Sequence, residues 1–246
     1  MLQTLLPAWL QPFLPTPDVA LRVIPLALLY GMAAAALVGY LRAVRDVRTP
    51  YTRKMFHFAI FTMAGLVHLT WGTPGVVVYG SIIALIVCWG ILRGEGYPFY
   101  EALARPSDRP RRTLFIIVPL VTTALGGVCA NLLTPSLAFV GYLVCGWGDA
   151  VGEPVGTRWG VHRYRVPSLG GIAATRSLEG SAAVLIAGSL AAIVGLWLSG
   201  LPLTTAAYIG AAAGIAGAGV EAISNHGLDN FTVQVAAAGI AVLLLS

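Results

Sequence analysis

The stretch TLFIIVPLVTTALGGVCANL (residues 113–132) decides the fold class, because it is almost wholly apolar and carries no charged residue. A transmembrane helix needs about 20 predominantly apolar residues, and this stretch has that length. Comparable runs recur along the chain. We predict eight membrane spans, and their approximate bounds are 19–41, 55–71, 75–91, 113–132, 136–151, 178–198, 204–223 and 228–245.

The composition supports this prediction. Hydrophobic types make up 57% of the 246 residues and charged types only 10%, whereas a soluble domain usually carries about 25% charged residues. The mean hydropathy is +0.81, and the strand alternation of an outer-membrane barrel is absent. We therefore expect an all-α, polytopic helical bundle that forms one domain over residues 1–246. Residues 1–17, interrupted by prolines, are predicted to lie at the membrane surface.

The basic residues predict the orientation. All of the 15 Lys and Arg residues except Arg22 fall after the first, third or fifth predicted span. The positive-inside rule places these three segments in the cytoplasm and both termini outside. We expect an integral protein of a bacterial inner (plasma) membrane with its active site facing the cytoplasm. The net charge of +5 does not indicate a nucleic-acid partner, since no basic patch with interspersed aromatic residues is present.

The segment YTRKMFH (residues 51–57) opens the second span with three basic side chains. On a helix, His57 lies one turn beyond Arg53, next to Lys54. Two cations and an imidazole at this spacing could hold phosphate oxygens. The alternative is that Arg53 and Lys54 serve only as topology signals.

The segment CGWGDAVGEPVGTRWG (residues 145–160) places Asp149 and Glu153 four positions apart, hence on one helix face. Two carboxylates at the end of an apolar run suit Mg²⁺, which binds few carboxylates together with substrate phosphates. Gly156 and Gly160 allow a close backbone approach, and Pro154 predicts a break or kink after Glu153. The alternative is a helix end with two solvated acids.

Two further segments place polar residues on the same side. In TRSLEGS (residues 175–181), Arg176 stands before the sixth span, where a guanidinium can pair with an anion. Ser177 and Glu179 follow it, and a helix cap explains Ser177 equally well. Glu221 ends the seventh span, and Asp229 begins the eighth, where it either caps the helix or takes part in the chemistry.

In this order, the segments YTRKMFH, GDAVGEPVGTRWG, RSLEGS and GLDN resemble the polyprenol kinase family. That family includes dolichol kinase, phytol kinase, farnesol kinase and a related CTP-dependent diacylglycerol kinase. The resemblance extends from about residue 52 to the end of the chain. Arg176 stands where the family commonly has Lys, which keeps the charge but changes its geometry.

The resemblance implies a membrane enzyme that transfers the γ-phosphate of a nucleoside triphosphate, with CTP as donor and Mg²⁺ as cofactor. The acceptor would be a prenol-type lipid alcohol such as phytol, farnesol, geranylgeraniol or a dolichol-like chain. The partners would thus be the lipid alcohol, the nucleotide and membrane lipids.

The resemblance also implies roles for single residues. Asp149 and Glu153 would bind Mg²⁺, and His57 or Asp229 would orient or deprotonate the alcohol. The phosphate clamp and nucleotide site would comprise Arg53, Lys54, Gly156, Gly160, Arg176, Ser177 and Glu179. An alternative enzyme, a cytidylyltransferase that joins CTP to a lipid phosphate, would use the same groups. A transporter of an anionic lipid is less favoured, because the charges lie at one edge of the spans instead of at the membrane midplane.

Overall fold

Eight α-helices and one short β-hairpin make up the described part of the chain, residues 7–167, 174–225 and 227–246 of a computed structural model. The helices are α1 (Pro17–Ala43), α2 (Thr49–Arg93), α3 (Pro98–Leu103), α4 (Leu114–Leu133), α5 (Ala138–Trp159), α6 (Leu178–Leu198), α7 (Leu203–Ile223) and α8 (Asp229–Leu245). The strands are β1 (Arg163–Val166) and β2 (Ala174–Ser177), and short 3-10 helices cover Ala8–Phe13 and Pro106–Asp108.

Helix α2 is a helical hairpin, not one long rod. Gly72 has φ 63° and ψ −158°, which lies outside the helical range. The hydroxyl of Tyr79 donates to the carbonyl of Ile60 at 3.1 Å, whereas a separation of 19 positions corresponds to about 28 Å of straight helix. The chain therefore reverses at Gly72, where a glycine accepts a positive φ without strain. The two arms, 49–71 and 73–93, contain the predicted second and third spans.

The helices form an integral membrane protein. Five described helices, α1, α2, α4, α6 and α7, are long and apolar enough to cross a membrane. Large apolar side chains point outward from them, and Leu85, Ile186 and Ile215 are each more than 60% exposed. An aqueous surface rarely carries so many exposed apolar groups, whereas hydrocarbon accommodates them. The predicted all-α fold class is confirmed for the helices, and the hairpin of β1 and β2 is an addition that the sequence pattern did not predict.

Helix α5 lies at the centre of the bundle and packs against α2, α6 and α8. Residues 138–146 of this helix are all buried. Because other helices surround it, α5 needs no lipid-facing apolar surface and can carry Asp149 and Glu153. Of the predicted break or kink at Pro154, the break is wrong, since α5 continues to Trp159. Because proline has no backbone N–H, the turn at Pro154 loses one backbone hydrogen bond. Packing against neighbouring helices supports this turn.

Glycines bring α5 and α6 into close contact. A Cβ atom at Gly152 would overlap the side chain of Val184 and lie 3.2 Å from the carbonyl oxygen of Gly180. At Gly180, a Cβ atom would lie 3.1 Å from the carbonyl oxygen of Gly152. Only residues without side chains allow two helices to approach this closely. This packing fixes the polar end of α5 against the start of α6.

The hairpin β1–β2 precedes α6 and positions Arg176. The strands pair antiparallel, with Arg163 opposite Ser177 and Tyr164 opposite Arg176. The hydroxyl groups of Tyr164 and Ser181 are 2.7 Å apart, which fastens the hairpin to the first turn of α6. Two four-residue strands are too short to give a convincing alternation, so the sequence alone indicated only a loop here.

Candidate active site

A lysine joins the two carboxylates that the sequence singled out. Lys54 Nζ lies 2.6 Å from Asp149 Oδ1 and 2.8 Å from Glu153 Oε2. The lysine side chain is only 6% exposed, and each carboxylate is 19% exposed. Both acids face the first arm of α2 because they stand one turn apart on α5. The buried cation compensates two buried anions, which the low-dielectric interior requires.

His57 lies one turn after Lys54 and borders the same cluster. Its Nε2 atom is 3.4 Å from Asp149 Oδ2, and its ring stacks on Phe61 with centroids 4.3 Å apart. The imidazole therefore has an apolar neighbour on one face and a carboxylate at its edge. Arg53 is placed differently: among the described residues its Nη1 atom is buried without a hydrogen-bond partner.

A second ion cluster forms around Arg176. Its guanidinium pairs with the carboxylate of Glu221, and its Nη2 atom lies 2.9 Å from Asp229 Oδ2. A further hydrogen bond from Arg176 reaches the carbonyl oxygen of Glu221. Burial alone would lower the pKa of Arg176, but the nearby carboxylates of Glu221 and Asp229 outweigh it and raise that pKa. The arginine thus stays charged, and it connects the hairpin to the end of α7 and the start of α8.

The two clusters line one polar cavity of about 250 Å³. The charged groups in its wall are Arg105, Asp149, Glu153, Arg163, Arg176, Glu221 and Asp229. The cavity lies where α5 and α7 end and α6 and α8 begin. Side chains from distant parts of the sequence therefore converge, as the sequence analysis predicted for Asp149 and Arg176. The wall thus contains both arginines and carboxylates, so both phosphate oxygens and a cation would find partners there.

The predicted nucleotide-binding residues are placed unequally. Gly156 and Ser177 line the polar cavity, and Ser177 is also the N-cap of α6, because its Oγ atom accepts the backbone N–H of Gly180 at 3.1 Å. Gly160 packs on Ser177, where a Cβ atom would lie 2.6 Å from the Oγ atom. Glu179 pairs with His162 Nδ1 at 2.7 Å and does not line the cavity. Gly160 and Glu179 are thus not lining residues themselves, although Gly160 packs on one, Ser177.

Arg105 and Arg163 are cavity residues that sequence reasoning missed. Arg105 follows α3, and its Nη1 atom lies 3.3 Å from Glu153 Oε1 while its Nε atom lies 3.0 Å from Asp108 Oδ2. Burial lowers the pKa of Arg105, but the carboxylates of Glu153 and Asp108 outweigh that effect and raise it. The sequence signal for both arginines was their position in the basic loops. The positive-inside rule already accounted for those charges, so no further role was sought.

A second, apolar cavity of about 300 Å³ lies beside the first. Both arms of α2 and one face of α4 form most of its wall, which is completed by Phe13, Leu103, Tyr142, Asn230 and Gln234. Arg53 and His57 belong to its lining too. His57 therefore stands between two spaces: it lines the apolar cavity and lies next to Asp149, which lines the polar one.

The carboxylates at the polar cavity suit a magnesium–nucleotide complex better than a closed metal site. Among residues 7–167, 174–225 and 227–246, no group of three or more His, Cys, Asp or Glu side chains could hold a metal ion alone. Asp149 and Glu153 nevertheless converge on one point, the position of Lys54 Nζ. Mg²⁺ commonly binds one or two carboxylates and takes its remaining ligands from phosphates and water. This pair fits that requirement.

Comparison with known proteins places the chain in a family. It is 32% identical over 194 residues to a phytol kinase of Synechocystis sp., and the match covers 77% of each chain. No family model matches the chain, and no solved structure matches it significantly. An identity of this level over most of both chains agrees with the resemblance seen in the four segments, and the chain belongs to the polyprenol kinase family.

Proposed function

We propose that this protein transfers the γ-phosphate of a nucleoside triphosphate to a prenol-type lipid alcohol, and that CTP is the donor. One observation carries the proposal: His57, which lines the apolar cavity, lies 3.4 Å from Asp149, which lines the polar cavity. A lipid kinase must hold a charged donor and a hydrocarbon acceptor with their reacting ends in contact. The related phytol kinase supports the same class of reaction.

The membrane topology belongs to the same proposal. We take α1, both arms of α2, α4, α5, α6, α7 and α8 as eight spans, with both termini on the outer side of a bacterial inner membrane. The three arginines of the polar cavity then face the cytoplasm, where nucleotides are found. The positive-inside distribution of basic residues supports this orientation.

The donor phosphates would bind between the arginines of the polar cavity. Arg176, Arg105 and Arg163 present guanidinium groups there, and guanidinium groups bind phosphate oxygens in a bidentate manner. Asp149 and Glu153 would hold Mg²⁺, which supplies positive charge to the phosphates when bound. Lys54 already lies between these two carboxylates and would contact the γ-phosphate as the complex forms. Positioning and charge neutralisation supply most of the catalysis in phosphoryl transfer.

The acceptor hydroxyl would lie beside His57, with the hydrocarbon chain in the apolar cavity. The alcohol oxygen attacks the γ-phosphorus, the bond from that phosphorus to the β-phosphate oxygen breaks, and the nucleoside diphosphate leaves with the electron pair. The hydroxyl proton passes to the pair formed by His57 and Asp149. Asp229, the other base considered, is held by Arg176 at 2.9 Å and serves more naturally to position that arginine.

A panel assay tests the proposal. Purified protein in detergent is incubated with phytol, farnesol, geranylgeraniol, dolichol or diacylglycerol and with each nucleoside triphosphate. With CTP as the donor, mass spectrometry of the lipid fraction should detect the monophosphate of at least one prenol. Absence of any phosphorylated lipid from an intact, monodisperse preparation would contradict the proposal.

A further inference from the structure

The apolar cavity has a side opening in the part of the molecule that would face lipid. Four of its lining residues are exposed: Gly80 and Ser81 on the second arm of α2, and Ala124 and Val128 on α4. Val128 is 45% exposed, although it also lines the cavity. A cavity wall whose residues are also surface residues is open at that point. We call these four residues the lateral mouth.

The helix packing explains why the mouth exists. Helix α4 packs mainly on α8 and touches α2 only slightly, although both helices enclose the cavity. Three of the four mouth residues, Gly80, Ser81 and Ala124, are small, and a Cβ atom at Gly80 would meet no atom within 4 Å. Larger side chains at these positions would fill the gap between the helices. The sequence thus leaves a slit between α4 and the second arm of α2.

Tyr79 connects the mouth with the arm of α2 that carries His57. Gly80 follows Tyr79, whose hydroxyl reaches the carbonyl of Ile60 at 3.1 Å. Ile60 lies about one helical turn from His57 on the first arm of α2. A hydroxyl at His57 and a hydrocarbon chain in the slit can therefore belong to one molecule.

We propose that the lipid alcohol reaches His57 laterally from the bilayer through this mouth, between α4 and the second arm of α2. The inference rests on the proposed function for the identity of the occupant, an isoprenoid alcohol. Since the cavity opens to the side, the far end of a long chain stays in the bilayer. The mouth, not the cavity volume, therefore governs access.

Tryptophan substitutions test the mouth against matched controls. Gly80→Trp and Ala124→Trp fill the slit. Leu85→Trp and Leu125→Trp place the same side chain at exposed positions of the same helices outside the cavity lining. We expect the two mouth variants to raise the KM for geranylgeraniol by about tenfold or more while nucleotide binding is unchanged. Phosphorylation of a short, water-soluble isopentenyl alcohol should change much less. The proposal would be overturned if both mouth variants, reconstituted into a bilayer, showed the same KM for geranylgeraniol as the wild-type protein.

Photolabelling keeps the test independent of kinase activity. An isoprenoid alcohol with a diazirine in mid-chain is irradiated with the wild-type protein in vesicles, with and without excess geranylgeraniol. Labels that geranylgeraniol displaces should map to Gly80, Ser81, Ala124 or Val128 and should disappear in Gly80→Trp. Displaceable labels found solely on the outer faces of α6 and α7 would overturn the mouth. If the wild-type protein phosphorylates no alcohol yet shows displaceable labels at the mouth, the proposed function fails and the lateral site stands.

Discussion

Lys54 and Asp149 are 95 positions apart in the chain, yet Lys54 Nζ lies 2.6 Å from Asp149 Oδ1. This contact joins the first arm of α2 to the central helix α5, and the same nitrogen lies 2.8 Å from Glu153 Oε2. One buried cation thus serves two carboxylates. The arrangement aims both carboxylates at a single point, which the proposed nucleotide-bound cation would require.

Asp149→Asn should leave the protein folded but remove phosphorylation of any prenol. The fold survives because Lys54 keeps Glu153 as its partner, whereas a neutral amide is a poor Mg²⁺ ligand. We expect activity to fall by at least about a thousandfold, a loss typical of a key electrostatic group. Turnover is measured beside thermal unfolding in detergent, and wild-type turnover in the purified variant would refute the metal assignment.

Arg176→Ala should weaken nucleotide binding by about tenfold or more, because one charge-assisted phosphate contact is lost. It also leaves Glu221 and Asp229 without their shared partner, so Arg176→Lys serves as a second variant that keeps the charge. Arg165→Ala, at an exposed position of the same hairpin, is the matched control. Calorimetric titration with Mg²⁺ and CTP gives the affinities, and equal affinity in wild type and Arg176→Ala would exclude the clamp role.

Gly152→Ala should destabilise the protein, because the added methyl group would overlap the side chain of Val184. Overpacking of this kind costs about 1–3 kcal/mol. Adding Val184→Ala should restore part of the loss, since it removes the atoms in the way. Gly239→Ala on α8, where a Cβ atom meets nothing within 4 Å, is the control. Thermal unfolding measures the stability of each variant. Equal stability of Gly152→Ala and Gly239→Ala would show that α5 and α6 are not packed this tightly.

The pairing of Glu101 with the segment before α4 should contribute less to the stability of the protein in acid. Burial raises the pKa of this carboxyl, but hydrogen bonds from Arg112 and from the Gly96 N–H outweigh it, so its pKa is lowered. A lowered folded-state pKa means that the contribution to stability is present above the usual value of 4.5 and is lost as the pH falls through the folded-state value. Glu101→Gln should therefore lower the melting temperature near neutral pH and converge with wild type in acid. A constant difference across the whole pH range would rule out this linkage.

The sequence was informative where physics acts locally. Long apolar runs predicted the helices, and the four-residue spacing of Asp149 and Glu153 correctly placed both on one face. The reversal at Gly72 falls in the link between the predicted spans 55–71 and 75–91. These features depend on neighbours in the chain, which a sequence displays directly.

The remaining features depend on partners far away in the chain. Pro154 predicted a break, but packing around α5 supports the helix through it. Arg105 looked like a topology signal, yet it reaches Glu153 at 3.3 Å. Arg53 lines the apolar cavity, one position before Lys54 of the carboxylate cluster, and its predicted phosphate contact stays a prediction. None of these outcomes follows from spacing, because each is decided by which helix packs opposite.

The most direct test of the lipid-kinase assignment follows a single phosphorus atom. Purified wild-type protein in vesicles is supplied with Mg²⁺, geranylgeraniol or phytol, and CTP labelled at either the γ- or the α-phosphate. We predict that the γ-label alone enters the lipid fraction, as an alcohol monophosphate. Incorporation of the α-label with a lipid phosphate as acceptor would identify a cytidylyltransferase, and no label in any lipid would contradict the assignment altogether.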